Sequence, residues 1–139
     1  MLQRSIIIDG TLEQNISLGI EKYNEQDIYL AINRAGLSSL LKKSSDGIHI
    51  MLGVKGIKVL EGEAQRISLA RIILRKPRII ILDEPTSALD WQTEEIILNV
   101  VKELKTKNNA LVILTHKQRT LNIADHVMLL EKGTIQLLD

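Results

Sequence analysis

Apolar residues along the chain fall into two regimes. In the first half they recur at helical spacing, and in the second half aliphatic runs alternate with helical patterns. Ile6-Ile7-Ile8 is a short apolar run stopped by the turn signal Asp9-Gly10. Thr11 is placed to cap a short helix through Asn15 and Leu18, with Glu13 and Gln14 near its start. Asn24 is placed to cap a second helix over residues 25–35, where Ile28, Ala31, Ile32 and Ala35 form a stripe and Gly36 ends the element. Residues 44–58 carry Gly47, Gly53 and Gly56 and read as loop. Residues 63–75 are helical again through Ile67, Ala70, Ile73 and Leu74, and Pro77 closes them.

Residues 78–82 form a continuous β-branched and aliphatic run, the mark of a strand buried on both faces. A helix over 91–105 follows, then a second buried strand at 110–114. A short helix at 120–124, a strand at 127–130 and a hairpin turn at Lys132-Gly133 complete the pattern. A strand–helix–strand crossover of this length requires parallel strands joined right-handedly, so the fold class is α/β.

Composition narrows the chemistry. The 139 residues fit one domain with a core of its own. The core must be aliphatic, because there is no Phe and the aromatics are Tyr23, Tyr29 and Trp91. The absence of cysteine excludes disulfides and thiolate metal sites. A formal net charge of +1 gives no reason to expect nucleic acid as a partner. Lys42-Lys43 and Lys102, Lys105 and Lys107 read as solvated faces, His49 and His126 lack a ligand set, and Trp91 reads as a packing anchor. No uncharged apolar stretch approaches the ~20 residues of a membrane-spanning helix, so any membrane role requires another segment or protein as anchor.

Asp83-Glu84 directly follows the strand at 78–82, and charge at the end of a buried strand is costly unless it is solvated or cation-bound. Parallel α/β sheets bind ligands beyond the carboxyl ends of their strands. The next strand ends in Thr115-His116, which places His116 within one or two strand spacings, ~5–10 Å, of the acids. Two acids and a histidine in that arrangement read as one site, with one acid holding Mg²⁺ and the other facing an attacking water.

Residues 79–90, IIILDEPTSALD, resemble the Walker B segment and D-loop of ATP-binding cassette (ABC) ATPases nearly letter for letter. Thr115-His116 resembles their switch histidine, and residues 3–19, QRSIIIDGTLEQNISLG, resemble the Q-loop of exporter-type cassettes, in register at Gly10-Thr11 and Asn15-Ile16. The resemblance implies a partial P-loop NTPase fold, with parallel strands and a helical subdomain. Residues 1–62 would be the Q-loop and helical subdomain, and 63–139 the signature helix, Walker B, D-loop and switch-histidine part. It implies ATP and Mg²⁺ as cofactors. Asp83 would hold Mg²⁺ through water, with Gln3 sensing the metal. Glu84 would orient or activate the attacking water, His116 would contact the γ-phosphate, and Ser87 and Asp90 would face a partner domain. The implied partners are a second nucleotide-binding domain and a transmembrane domain, at the cytoplasmic face of a cell membrane. The implied function is to couple ATP binding and hydrolysis to export.

Two departures qualify that expectation. No Gly-x-x-x-x-Gly-Lys-Ser/Thr segment occurs, so the sequence lacks the loop that cradles phosphates. The isolated chain is therefore expected to have negligible ATPase activity. It is also expected to aggregate, since in the family the strand bearing that loop lies between the His116 strand and the Val127 strand. Second, Val59-Leu60-Glu61-Gly62-Glu63 stands where the family has Leu-Ser-Gly-Gly-Gln, and Gly62 alone matches. Glu61 and Glu63 are expected to repel an approaching phosphate by ~2–4 kcal/mol. This outweighs the ~0.3–1 kcal/mol of a helix dipole. Such a pattern fits a truncated, degenerate or regulatory remnant, or the silent-signature subunit of an asymmetric heterodimer. A soluble, non-transport member of the same ATPase class is a further alternative. The exporter-like segment and the lack of a basic, aromatic-studded surface argue against it.

Overall fold

The computed structural model describes residues 5–87 and 89–138. The chain is mixed α/β. A short strand β1 (Gly10–Thr11) leads into helices α1 (Leu12–Ser17), α2 (Glu25–Arg34) and α3 (Ser38–Leu41). A 3₁₀ turn (Gly47–His49) and β2 (Met51–Leu52) precede the long helix α4 (Glu61–Arg75). Then follow β3 (Ile79–Asp83), α5 (Trp91–Leu104), β4 (Ala110–Leu114), α6 (Gln118–Leu121), and the strands β5 (Val127–Glu131) and β6 (Thr134–Leu138).

The expected caps form. The Thr11 hydroxyl accepts from the Gln14 N–H while the Gln14 side chain accepts from the Thr11 N–H, closing a capping box on α1. Asn24 and Asp27 do the same for α2, and Gly36 follows it at φ +68°, a conformation that favours glycine. Most boundaries agree within one residue, and the larger differences are three. Residues 44–58 are not all loop: Ile48, Ile50 and Leu52 alternate into the core, and β2 pairs antiparallel with β1. Helix α4 begins at Glu61 rather than 63, and α6 spans 118–121 rather than 120–124.

The core joins Leu12 and Ile16 of α1, Ile28 and Ile32 of α2, Ile67 and Ala70 of α4, and Leu82 of β3, with Ile97 and Val101 of α5 continuing it. Strands β3 and β4 pair in parallel, with Ile79 opposite Ala110 and Asp83 opposite Leu114. Burial corrects the two-faced reading of these strands. Ile80 and Leu82 are buried, but Ile79 is 67 % and Ile81 54 % exposed, and Val112 and Leu114 are about half exposed. The described elements pack on one face only. Among the described residues β3–β4 is joined to no other strand, and β5–β6 stands as a separate hairpin. Lys132 and Gly133 turn that hairpin with positive φ at both positions, the geometry that matches strand twist. Met128, Leu130, Ile135 and Leu137 of the hairpin are also exposed.

This much uncovered aliphatic surface predicts self-association of the 139-residue chain. Sedimentation velocity over a dilution series should show concentration-dependent species. A compact monomer that persists at every concentration would count against it.

Candidate functional site

Register sets the site. Asp83 is the last residue of β3 and lies opposite Leu114, the last of β4. Glu84 then leaves the strand with φ +44°, a left-handed backbone that costs a non-glycine residue about 1–2 kcal/mol. The Glu84 N–H donates to the Leu114 carbonyl at 2.9 Å, which holds that conformation. The kink breaks strand alternation, and Glu84 Oε1 lies 2.9 Å from His116 Nδ1. An ionised carboxylate only accepts, so Nδ1 carries the proton and Nε2 is left for another partner. Asp83 is half-buried and makes no side-chain hydrogen bond or ion pair among the described residues.

The Ser87 N–H donates to the Glu84 carbonyl at 3.0 Å and closes the turn after the acids. Asp90 caps α5: one oxygen accepts from the N–H groups of Gln92 and Thr93, and the other from the Thr93 hydroxyl at 2.7 Å. The Thr93 bonds, with that of Gln92, hold the Asp90 carboxyl below its usual range. Gly62 lies in the first turn of α4, where a Cβ would come 3.2 Å from Thr93 Cγ2. Gly62 and Asp90 line one cleft of about 250 Å³ with Leu60, Glu61 and Leu89. The candidate residues thus form two groups: Asp83, Glu84 and His116 at the strand ends, and Gly62 and Asp90 in the cleft. Gln3 lies outside the described residues.

The signature segment corrects one expectation. Glu63 does not present a charge to an approaching phosphate, being 5 % exposed. Its Oε2 accepts from the Leu60 N–H at 3.0 Å and caps α4, while Oε1 accepts from Lys43 Nζ at 2.6 Å. Lys43 is therefore half of an ion pair rather than part of a solvated face. Burial alone would raise the Glu63 pKa. The Lys43 and Leu60 hydrogen bonds and the charges of Lys43 and Arg66 overcome it and hold the carboxyl below its ordinary value. Such a depressed carboxylate stabilises the fold above its unfolded pKa, and that contribution is lost as pH falls through the folded value. Lys43→Met should destabilise the chain by about 1–3 kcal/mol at neutral pH. It should also flatten the loss of stability below about pH 4, measured by urea denaturation across pH.

Sequence reasoning missed a second set of groups. Glu94 on α5 is buried, and accepts from Lys117 Nζ at 3.2 Å on Oε1 and from Arg119 Nη1 at 3.0 Å on Oε2. Burial would raise its pKa, but the Lys117 and Thr86 hydrogen bonds and the charges of Lys117 and Arg119 lower it. Trp91 is not a packing anchor: it is 65 % exposed, with the Arg119 guanidinium 5.1 Å over its ring. The available signal was the helical stripe of α5, where Glu94 falls on the same inward face as Ile97, Leu98 and Val101. A carboxylate on that face requires cations, and Lys117 and Arg119 supply them.

The donor set at the strand ends fits Mg²⁺. That ion is usually held by one or two carboxylates, with waters and phosphate oxygens completing its shell. Asp83 offers such an oxygen, and no cluster of three or more His, Asp or Glu residues occurs among the described residues to enclose a metal fully. The sequence contains no glycine-rich phosphate cradle, so a triphosphate would need backbone donors from another segment.

The sequence matches the family model described as ABC transporter over residues 4–87. It is similar to the uncharacterized ABC transporter ATP-binding proteins YwjA (38 % identical, 96 % of this chain and 23 % of the relative) and YknU (37 %, 98 % and 23 %), both of Bacillus subtilis. It is also similar to the iron-sulfur clusters transporter ATM1, mitochondrial, of Debaryomyces hansenii, at 32 % identity over 96 % of this chain and 19 % of the relative. The chain spans about a quarter or less of the length of these curated relatives.

Proposed function

Because the chain belongs to the ABC transporter family, we propose that it contributes the metal and water groups of an ATP-hydrolysing site in an exporter-type nucleotide-binding domain. The observation that carries this reading is the 2.9 Å contact between Glu84 and His116 at the ends of neighbouring parallel strands, with Asp83 beside it. Asp83 would hold Mg²⁺ through water, with Gln3 as a further metal-sensing group. The metal, when bound, neutralises charge developing on the phosphates. Glu84 orients or activates the attacking water, and its bond to His116 fixes the imidazole tautomer so that Nε2 can meet the γ-phosphate. Phosphoryl transfer of this kind needs positioning and charge stabilisation, not a protein nucleophile.

On this reading residues 1–62 form the Q-loop and helical subdomain, and 63–139 the remainder of the ATPase core. The partners are a second nucleotide-binding domain, met by Ser87 and Asp90, and a transmembrane domain that holds the assembly at the cytoplasmic face of a membrane. No described helix is long and apolar enough to cross a membrane.

The signature region favours the asymmetric version of this reading. Leu60 stands 61 % exposed at the N-terminus of α4 with Glu61 exposed beside it, where a phosphate held by a partner would approach. Glu63 already satisfies one of the N–H groups at that end. Such a helix end is a poor phosphate site, so the chain would keep its own acid and histidine while silencing the site it faces.

The chain alone should hydrolyse Mg-ATP no faster than buffer. Hydrolysis should appear when a phosphate-loop segment from a relative is supplied, in a mixture or as a fusion. A mixture that binds nucleotide but stays silent would refute the assignment of the acids and His116.

A further inference from the structure

The buried carboxylate of Glu94 has no part in the proposed chemistry. It lies on the first turn of α5, four residues after the Asp90 cap, and is 7 % exposed. Lys117 directly follows His116, and its ammonium bridges two partners, the Thr86 carbonyl at 2.6 Å and Glu94 Oε1 at 3.2 Å. Thr86 belongs to the turn that begins at Glu84 and is itself buried. Arg119, on α6, takes the other Glu94 oxygen at 3.0 Å and covers Trp91, the first residue of α5. Three otherwise separate segments therefore meet at one carboxylate: the turn after the acids, the start of α5 and the loop that carries His116.

We infer that Glu94 and Lys117 form a clamp that positions Glu84 against His116. They are positioning residues, since neither touches the Glu84–His116 pair itself. The local geometry calls for such a clamp. The left-handed backbone of Glu84 is held by its bond to Leu114, a residue on the neighbouring strand. His116 is largely exposed, and among the described residues its one side-chain bond is to Glu84. Beyond Leu114 the Glu84–His116 contact joins the two loops side chain to side chain, and a second tie between them would fix its geometry. The Lys117 ammonium supplies that tie from the residue next to His116 to the turn two residues past Glu84. The buried Glu94 fixes the ammonium from the opposite side. The bearing of this clamp on catalysis rests on the function proposed above, but its geometry does not.

The test is hydrogen–deuterium exchange by mass spectrometry on the full chain, comparing wild type with Glu94→Gln, Lys117→Met and Lys117→Arg. Loss of a charge-assisted bond should speed exchange about tenfold or more in peptides covering 83–90 and 115–121. Peptides covering α1 and α2 should keep their protection, and Lys117→Arg should restore the wild-type pattern. In the chain supplied with a phosphate-loop segment, Glu94→Gln and Lys117→Met should lower kcat while KM for Mg-ATP stays within twofold. If that preparation never hydrolyses ATP, the functional reading fails while the exchange result still decides the clamp. Unchanged exchange in the two segments would overturn the inference. So would uniform acceleration that includes α1 and α2, or failure of Lys117→Arg to restore protection.

Discussion

Glu84→Gln, in the chain supplied with a phosphate-loop segment, is expected to lower Mg-ATP hydrolysis by about 10²–10⁴-fold. Nucleotide affinity should change little. The substitution keeps the size of the side chain and its ability to accept from His116 Nδ1, so the 2.9 Å contact can persist. On the proposed reading it removes the negative charge that would orient the water and take its proton. Steady-state phosphate release gives the rate, and binding of a fluorescent nucleotide gives the affinity. A comparable loss of both would indicate that Glu84 supports the structure of the site rather than the reaction. A fully active variant would remove Glu84 from the chemistry altogether.

The second large effect is expected in the helical half, at Asn15. This side chain is fully buried in α1. Its amide nitrogen donates to the carbonyls of Ile8 and Thr11 at 3.1 and 3.0 Å, and its oxygen accepts from the Ile8 N–H at 3.0 Å. Arg71 of α4 reaches the same place, donating to the Asn15 carbonyl at 2.6 Å and to the Ile6 carbonyl at 2.8 Å. Asn15→Ala would strip the Ile8 N–H and carbonyl of these partners and take one donor from the Thr11 carbonyl, which as N-cap also accepts within the helix. Each stranded buried group costs about 1–3 kcal/mol, and some regain water, so a net loss of ~3 kcal/mol follows. The thermal midpoint, followed by helical circular dichroism, should fall by roughly 10 °C. Asn15→Asp keeps the acceptor and loses the donor, and should fall between Ala and wild type. A midpoint for Asn15→Ala within a degree of wild type would contradict this account of the segment.

Much of the architecture was readable in the residues because it rests on local rules. The caps at Thr11 and Asn24, the left-handed stop at Gly36 and the Lys132-Gly133 turn are short-range chemistry, and each forms. The parallel pairing of β3 and β4 followed from the intervening helix, and it brings His116 to Glu84. Long-range polar contacts were not readable in the same way. Nothing local to Lys43 indicates that it meets Glu63 twenty residues later, so the sequence alone leaves the Glu63 charge facing an approaching phosphate. Asn15 was legible as a helix position but not as the hub that Arg71 reaches from α4. The Glu94 ion pairs escape for the same reason, since their cations come after β4 in the sequence. The strands were misjudged in the opposite sense. Their composition suits burial on two faces, while the described elements cover one.

The most direct test is a crystal structure of the chain combined with a phosphate-loop segment and a slowly hydrolysed Mg-nucleotide analogue. The account predicts the metal within one water of Asp83, a water between Glu84 and the terminal phosphate, and His116 Nε2 toward that phosphate. A bound nucleotide whose terminal phosphate lies away from the ends of β3 and β4, with Glu84 and His116 facing only solvent, would contradict it.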